Sequence, residues 1–134
     1  MTIIRKLEMK AQALYRKQLV RGFCHLYIGQ EACAVGVHAA MRPQDSIVGN
    51  YRIHGWAYLM TKDISCVLGE LTGRKFGLSK GKGGSMHMYG DNLYGGQAIV
   101  GAQGPLGAGV ALAHQYTKSG GVSITIYGDG AANQ

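Results

Sequence analysis

The chain has 134 residues, with 14 Lys and Arg against 7 Asp and Glu, for a formal net charge of +7. Its 46% hydrophobic and 16% charged content fits one globular domain with a real core and excludes a disordered chain. Three cysteines, Cys24, Cys33 and Cys66, make neither a disulfide framework nor a CxxC zinc pattern, so a reducing compartment is the default.

In chain order, residues 3–21 are expected to form a helix ended by Gly22, with Ile4, Leu7, Ala11 and Leu14 on its apolar stripe. Arg5, Lys6, Lys10, Arg16, Lys17 and Arg21 crowd the same segment. Such a basic amphipathic helix can lie on phosphate or a membrane, but no reader motif accompanies it. The simpler expectation is a surface helix facing solvent or an acidic partner. Residues 30–41 predict a second helix, rich in Ala, Val and Cys, whose small side chains suit close packing in the interior. A turn at 42–45 leads into a short strand at 46–50, followed by Tyr51 and Arg52. Weak helical signal covers 54–61, and Asp63 is placed to cap a further helix that runs through Leu71 and closes at Gly73.

Twelve of the 22 glycines fall between Gly73 and Gly109. Residues 73–104 show no period and are expected to be a long loop, the kind that usually carries function. Pro105 should open a small-residue helix that ends near Tyr116. Residues 122–127, VSITIY, form the best strand pattern, with Gly128-Asp129-Gly130 at its end and a helix starting at Ala131. Helices alternating with strands predict an α/β fold with a mainly parallel sheet. One strong and one weak strand cannot make a stable sheet, so the missing strands are expected beyond Gln134. No run of 18 apolar residues predicts a membrane span, and no apolar signal-peptide core opens the chain.

Gly128-Asp129-Gly130 lies at the carboxyl end of a strand, where α/β proteins bind ligands. Glycines allow a phosphate close to the backbone, and a bridging Mg²⁺ would reconcile that phosphate with the Asp129 carboxylate. The plain alternative is a turn with an Asp cap. Walker A fails because Phe76 stands where its first glycine belongs and Gly83 replaces its Ser/Thr. A Rossmann fingerprint fails at Leu112. Among the histidines, His25, His54 and His87 are expected to be partly accessible, and His38 and His114 to be hydrogen-bonded on Ala-rich helices. No zinc-ligand spacing and no Ser nucleophile elbow occur, and the cysteines read as buried small apolar residues.

Taken together, GFCHLYIGQEA, NYRIHG, ELTGRKFG, KGKGGSMHMY, IVGAQ, PLGAG and YGDGAANQ run in order across nearly the whole chain. This set resembles the α subunits of the pyruvate dehydrogenase first component, within the thiamine-diphosphate-dependent 2-oxoacid dehydrogenase family. The resemblance implies a thiamine-diphosphate-binding fold, of which residues 1–134 would be the N-terminal part of one domain, cut within the GDG…NN cofactor signature. It implies that Tyr51 and Arg52 hold the cofactor diphosphate and that Asp129 is a Mg²⁺ ligand flanked by backbone contacts from Gly130 and Ala131. Val100 would face the aminopyrimidine, and His25 would be catalytic, facing substrate and lipoyl group. Gly90 and Ala98 match cofactor-site positions where the family usually has Ala and Gly. A larger apolar residue is usual at Gly104.

The implied reaction is decarboxylation of pyruvate with transfer of the two-carbon unit to lipoamide. The implied partners are a β subunit in an α2β2 assembly, which supplies the glutamate that activates the cofactor, and a lipoyl-bearing acyltransferase. The compartment would be the mitochondrial matrix in a eukaryote or the cytoplasm in a bacterium, with no nucleic-acid or membrane partner. HLYIGQEA and the Tyr before Arg52 favour pyruvate over the acetoin and branched-chain 2-oxoacid relatives. The rival from another class is a basic nucleic-acid or protein-interaction module built on the first helix.

Overall fold

The computed structural model describes residues 1–134. Helix α1 (Thr2–Arg16) presents Ile4, Leu7 and Ala11 to the core, as its apolar period requires. It stops one turn earlier than expected, because Gln18 takes a φ of +58° and the chain dives so that Val20 and Cys24 are buried. Helix α2 (Glu31–Ala40) departs further from expectation. It buries only Glu31 and Ala34, and Cys33 is exposed. Small side chains remove little apolar area from water, so this helix has little to gain from the core. It is anchored through charge, with Arg5 Nε 2.6 Å from Glu31 Oε1 and Nη2 donating to Oε2 at 3.1 Å.

Strand β1 (Ser46–Asn50) lies in the middle of a three-stranded sheet. Helix α3 (His54–Thr61) follows and is far more buried than its weak sequence signal suggests, with Trp56 and Ala57 essentially closed to solvent. Helix α4 (Ile64–Leu71) begins as predicted, Asp63 accepting the Ser65 and Cys66 N–H groups at 2.7 and 3.2 Å. Leu71, Val67, Trp56, Leu7 and Ile4 form one core with Ile47 and Leu93 of the sheet.

A third strand, not expected from the sequence, lies inside the glycine-rich stretch. Strand β2 (Leu93–Gln97, LYGGQ) pairs parallel with β1, in register Ile47 with Leu93 and Gly49 with Gly96, with an irregularity between the two pairs. Glycine is depleted in strands, which hides this one. Here Gly96 is required, since a Cβ would collide with the Met86 carbonyl oxygen and stand 2.8 Å from that of Asn50. On the other edge, β3 (Ser123–Thr125) is shorter than predicted and also runs parallel to β1. Helix α5 (Gln103–Thr117) starts two residues before Pro105 and packs on β1 and β3, with Gly107 set tightly against Thr125. A single turn, α6 (Asp129–Ala132), follows β3. The result is the α/β, parallel-sheet architecture expected from the sequence, carried by the three strands of this chain.

Two carboxylates set the loops. Asp45 accepts from the Arg42 backbone N–H at 2.8 Å and from Val122 N–H at 3.0 Å, tying the entries of β1 and β3. Glu70, fully buried at the end of α4, accepts three backbone N–H groups, from Ser79 (2.7 Å), Gly81 (2.9 Å) and Gly83 (2.6 Å). Loss of that carboxylate leaves three half-buried backbone donors without their partner. Glu70→Ala is therefore expected to destabilise the fold by about 3 kcal/mol or more in urea unfolding, with faster amide exchange at Ser79, Gly81 and Gly83. A cost under about 1 kcal/mol would contradict the clamp.

Acid should weaken the two surface ties. The Arg5 hydrogen bonds hold the Glu31 carboxyl at about 2 against an ordinary 4.5, and the Arg42 hydrogen bonds hold that of Asp45 at about 2 against 3.8. Both protons bind less readily in the folded state. The contribution is therefore whole above the ordinary values and drains away as pH falls toward about 2. Thermal midpoints should drop through that window, and Glu31→Gln should flatten the drop.

Candidate functional site

The three parallel strands deliver their carboxyl ends to one place, as the general geometry of open α/β sheets leads one to expect. From β1 come Asn50 and Tyr51, from the segment after β2 come Val100 and Gln103, and from beyond β3 comes the turn 128–131. They line a cavity of about 170 Å³. This is smaller than the roughly 300–1,000 Å³ of sites that enclose a whole small molecule.

Asp129 is the only carboxylate on the cavity wall, and it is exposed. A Cβ added at Gly128 or Gly130 would meet nothing within 4 Å, so the turn offers bare backbone to a ligand. Gln103 is 1% exposed, and its Nε2 donates to the Ile126 carbonyl oxygen at 2.9 Å, which fixes the amide orientation. Its Oε1 faces no protein donor. A buried acceptor left open beside a carboxylate and free backbone suits a ligand that brings its own donors or an ordered water. No group of three His, Cys, Asp or Glu side chains could hold a metal, so a cation at Asp129 would take its remaining oxygens from the ligand and from further residues.

Beside the cavity, aromatic and basic groups stack. The His25 ring lies 4.6 Å from that of Tyr51 and 4.6 Å from that of Phe23. The Arg52 guanidinium carbon is 5.7 Å from the Tyr51 ring centre, and its Nη1 donates to the Leu26 carbonyl oxygen. Arg52 N–H donates to Asn50 Oδ1 at 3.0 Å, which holds the turn after β1. Burial, then the Arg52 cation and His54, hold the His25 imidazole below its ordinary 6.5, which favours its neutral form.

The expected site residues do not all meet. Tyr51, Val100, Asp129, Gly130 and Ala131 share the cavity, and Arg52 and His25 stand next to it. Ala98 is half-buried just past β2 and does not line it. Gly90 does not reach it. Its N–H and carbonyl pair with Leu93 at the opposite end of β2, so the structure gives it a turn role. Gly104 has its own reason to lack a side chain, since a Cβ there would stand 2.5 Å from the Tyr127 hydroxyl.

Three further expectations need correction. His54, expected to be partly accessible, is fully buried between Glu8 and Ser85. Cys33 is exposed rather than buried, and Cys66 is half-buried. Burial pushes the Cys24 thiol up to about 11, which leaves it inert. Sequence reasoning missed Gln103, Asn50, Glu8 and Ser85. IVGAQ and GGSMH contain two of them, but no spacing rule assigns a partner to a lone amide or hydroxyl.

The His25 imidazole should titrate by NMR with a midpoint below 6.5, and Arg52→Leu should move that midpoint upward. An unchanged midpoint in the variant would rule out the Arg52 field as a cause.

The whole chain, residues 1–134, matches the family described as dehydrogenase E1 component. It is 58% identical over 134 residues to the mitochondrial, testis-specific pyruvate dehydrogenase E1 component subunit alpha of Rattus norvegicus. Identity is 59% to the type II mitochondrial subunit alpha of Ascaris suum and 54% to the somatic mitochondrial form of Homo sapiens. All of this chain is covered in each case, against 34% of each relative, so it spans about a third of the length of these proteins.

Proposed function

We infer function from one premise: the chain belongs to the dehydrogenase E1 component family. On that basis we propose that it is part of the α subunit of a pyruvate dehydrogenase first component. Its reaction would be thiamine-diphosphate-dependent oxidative decarboxylation of pyruvate, with the acetyl group passed to a lipoyl carrier. The observation that carries this reading is the meeting of Tyr51, Val100 and the turn 128–131 in one cavity at the carboxyl ends of parallel strands. The names of the relatives support pyruvate over acetoin or branched-chain substrates, and support the mitochondrial matrix as the compartment in a eukaryotic host. A free nucleic-acid arm is disfavoured, because α1 buries its apolar stripe and Arg5 is paired with Glu31.

When bound, thiamine diphosphate with Mg²⁺ supplies the nucleophilic carbon and the electron sink that decarboxylation needs. This chain's residues bind and orient. Asp129 offers carboxylate oxygen to the cation, and the backbone of Gly130 and Ala131 lies open beside it. Arg52 keeps guanidinium donors beyond the one given to Leu26, and these, with the Tyr51 hydroxyl, suit diphosphate oxygens. Val100, exposed on the cavity wall, offers apolar surface to a flat ring. In its neutral form His25 donates one N–H and accepts at its other nitrogen, which suits a group facing a keto acid and the lipoyl disulfide, whose sulfur takes up a proton as the S–S bond opens. The small cavity fits a site completed by a second subunit, which we assign to a β chain in an α2β2 assembly. A lipoyl-bearing acyltransferase would receive the product.

The α subunit assembled with its β partner should decarboxylate pyruvate once thiamine diphosphate and Mg²⁺ are supplied. Asp129→Asn should weaken Mg²⁺-dependent cofactor binding by about 100-fold, read by calorimetry, in line with loss of a charged ligand. No turnover, together with salt-sensitive DNA or RNA binding, would replace this reading with the interaction module.

A further inference from the structure

Behind His25 runs a chain of buried polar groups that cofactor binding does not use. Glu8 of α1 is 0% exposed, and both its oxygens approach His54 Nδ1, at 2.9 and 3.0 Å. His54, also 0% exposed, sets its Nε2 2.9 Å from the Ser85 carbonyl oxygen and 3.0 Å from Ser85 Oγ. Ser85 Oγ accepts the backbone N–H of His25 at 2.9 Å. Two peptides further on, the Leu26 carbonyl oxygen accepts from Arg52. The His25–Leu26 segment is therefore held at both ends, by the N–H of the Cys24–His25 peptide and by the carbonyl of the Leu26–Tyr27 peptide.

The acid–imidazole–hydroxyl order resembles the relay that activates a serine nucleophile. That reading fails on access, because Ser85 is 4% exposed and its hydroxyl oxygen is taken by His25 N–H. A purely structural reading has its own difficulty. Burying an acid and a histidine costs desolvation, and a well-packed apolar set of similar volume would hold three segments together at least as well. What the apolar set cannot do is fix a backbone N–H within a few tenths of an ångström, because dispersion contacts have no direction.

We propose that Glu8, His54 and Ser85 are positioning residues that set where His25 stands against Tyr51, beside the cavity. The series links α1, α3 and the glycine-rich segment to a single peptide. The His25 ring then packs on Tyr51, whose neighbour Arg52 closes the loop by holding Leu26. His25 is faced by Tyr51 and Arg52 from the turn after β1, by Phe23 from its own segment and by His54 of α3, with Glu8 of α1 behind His54. Its electrostatic setting depends on this placement. Releasing Ser85 would let the ring move toward solvent and away from Arg52 and His54.

This inference rests on the proposed function of the same site, and the test separates the two. In the assembled enzyme, Ser85→Ala should lower kcat by about tenfold or more, the cost of a misplaced group, while thiamine diphosphate affinity stays within about twofold because the Asp129 wall is untouched. The acidic limb of the pH–rate profile and the His25 NMR midpoint should both move up toward the ordinary imidazole value, and Ser85→Thr, which keeps the hydroxyl, should restore both. Ser85→Cys keeps the volume with a weaker acceptor and serves the same purpose where Ser85→Ala does not assemble. If either variant assembles with the parent profile, midpoint and kcat, the positioning role is overturned. Loss of cofactor affinity in parallel with kcat would also overturn it, since that marks a general structural role. A parent enzyme with no pyruvate turnover would instead overturn the function on which the proposal depends.

Discussion

Two fully buried carboxylates organise this molecule. Neither Glu8 nor Glu70 has access to water, so protein donors must satisfy each, and the chain bends to provide them. Glu70 draws three backbone N–H groups from residues 79–83 onto the end of α4, giving fixed shape to a segment with no hydrophobic period of its own. Ser79 then hands the order on, its hydroxyl donating to the His87 carbonyl oxygen at 2.7 Å, and His87 Nδ1 donates to Gly96 of β2 at 3.0 Å. A strand with two glycines and few apolar contacts is held in the sheet in part by a carboxylate on a helix.

The sheet repays that ordering with a site. Because all three strands run the same way, the segments leaving them must turn in the same region. Tyr51, Val100 and Asp129, 29 to 78 residues apart in the chain, become neighbours without any of them being in the core. Burial divides the labour. Ile47, Leu93 and Trp56 hold the strands together, and the exposed ends keep polar groups and free backbone for a ligand. His25 lies between these regimes, its ring half-buried and its peptide tied inward.

Much of this was legible in the residues. The apolar stripe of α1, the Asp63 cap of α4, the β-branched run of β3 and the glycines around Asp129 each act through contacts within a few positions in sequence. Such local chemistry survives in the sequence as spacing and residue type. The glycine excess was legible as a place of close backbone approach, and Gly96 and Gly107 show it directly. The strand within it was not, because LYGGQ has no alternation and low strand propensity. Its pairing partner is Ser46–Asn50, more than forty residues earlier. The expected burial of α2 failed for a related reason. Small residues permit close packing, but what packs against them is decided elsewhere in the structure.

By itself, the sequence determined the α/β class, most helices, the central strand, the motifs that assign the family and the Gly128-Asp129-Gly130 turn. Tertiary structure alone decided that Gly90 lies at the wrong end of β2 for the cavity, that Gln103 leaves an acceptor open within it, and that Glu8, His54 and Ser85 stand in series behind His25. The physical reason is directionality at long range. A hydrogen bond between Glu8 and His54 spans 46 residues and exists only once helices α1 and α3 have packed, and no periodicity in either helix encodes it.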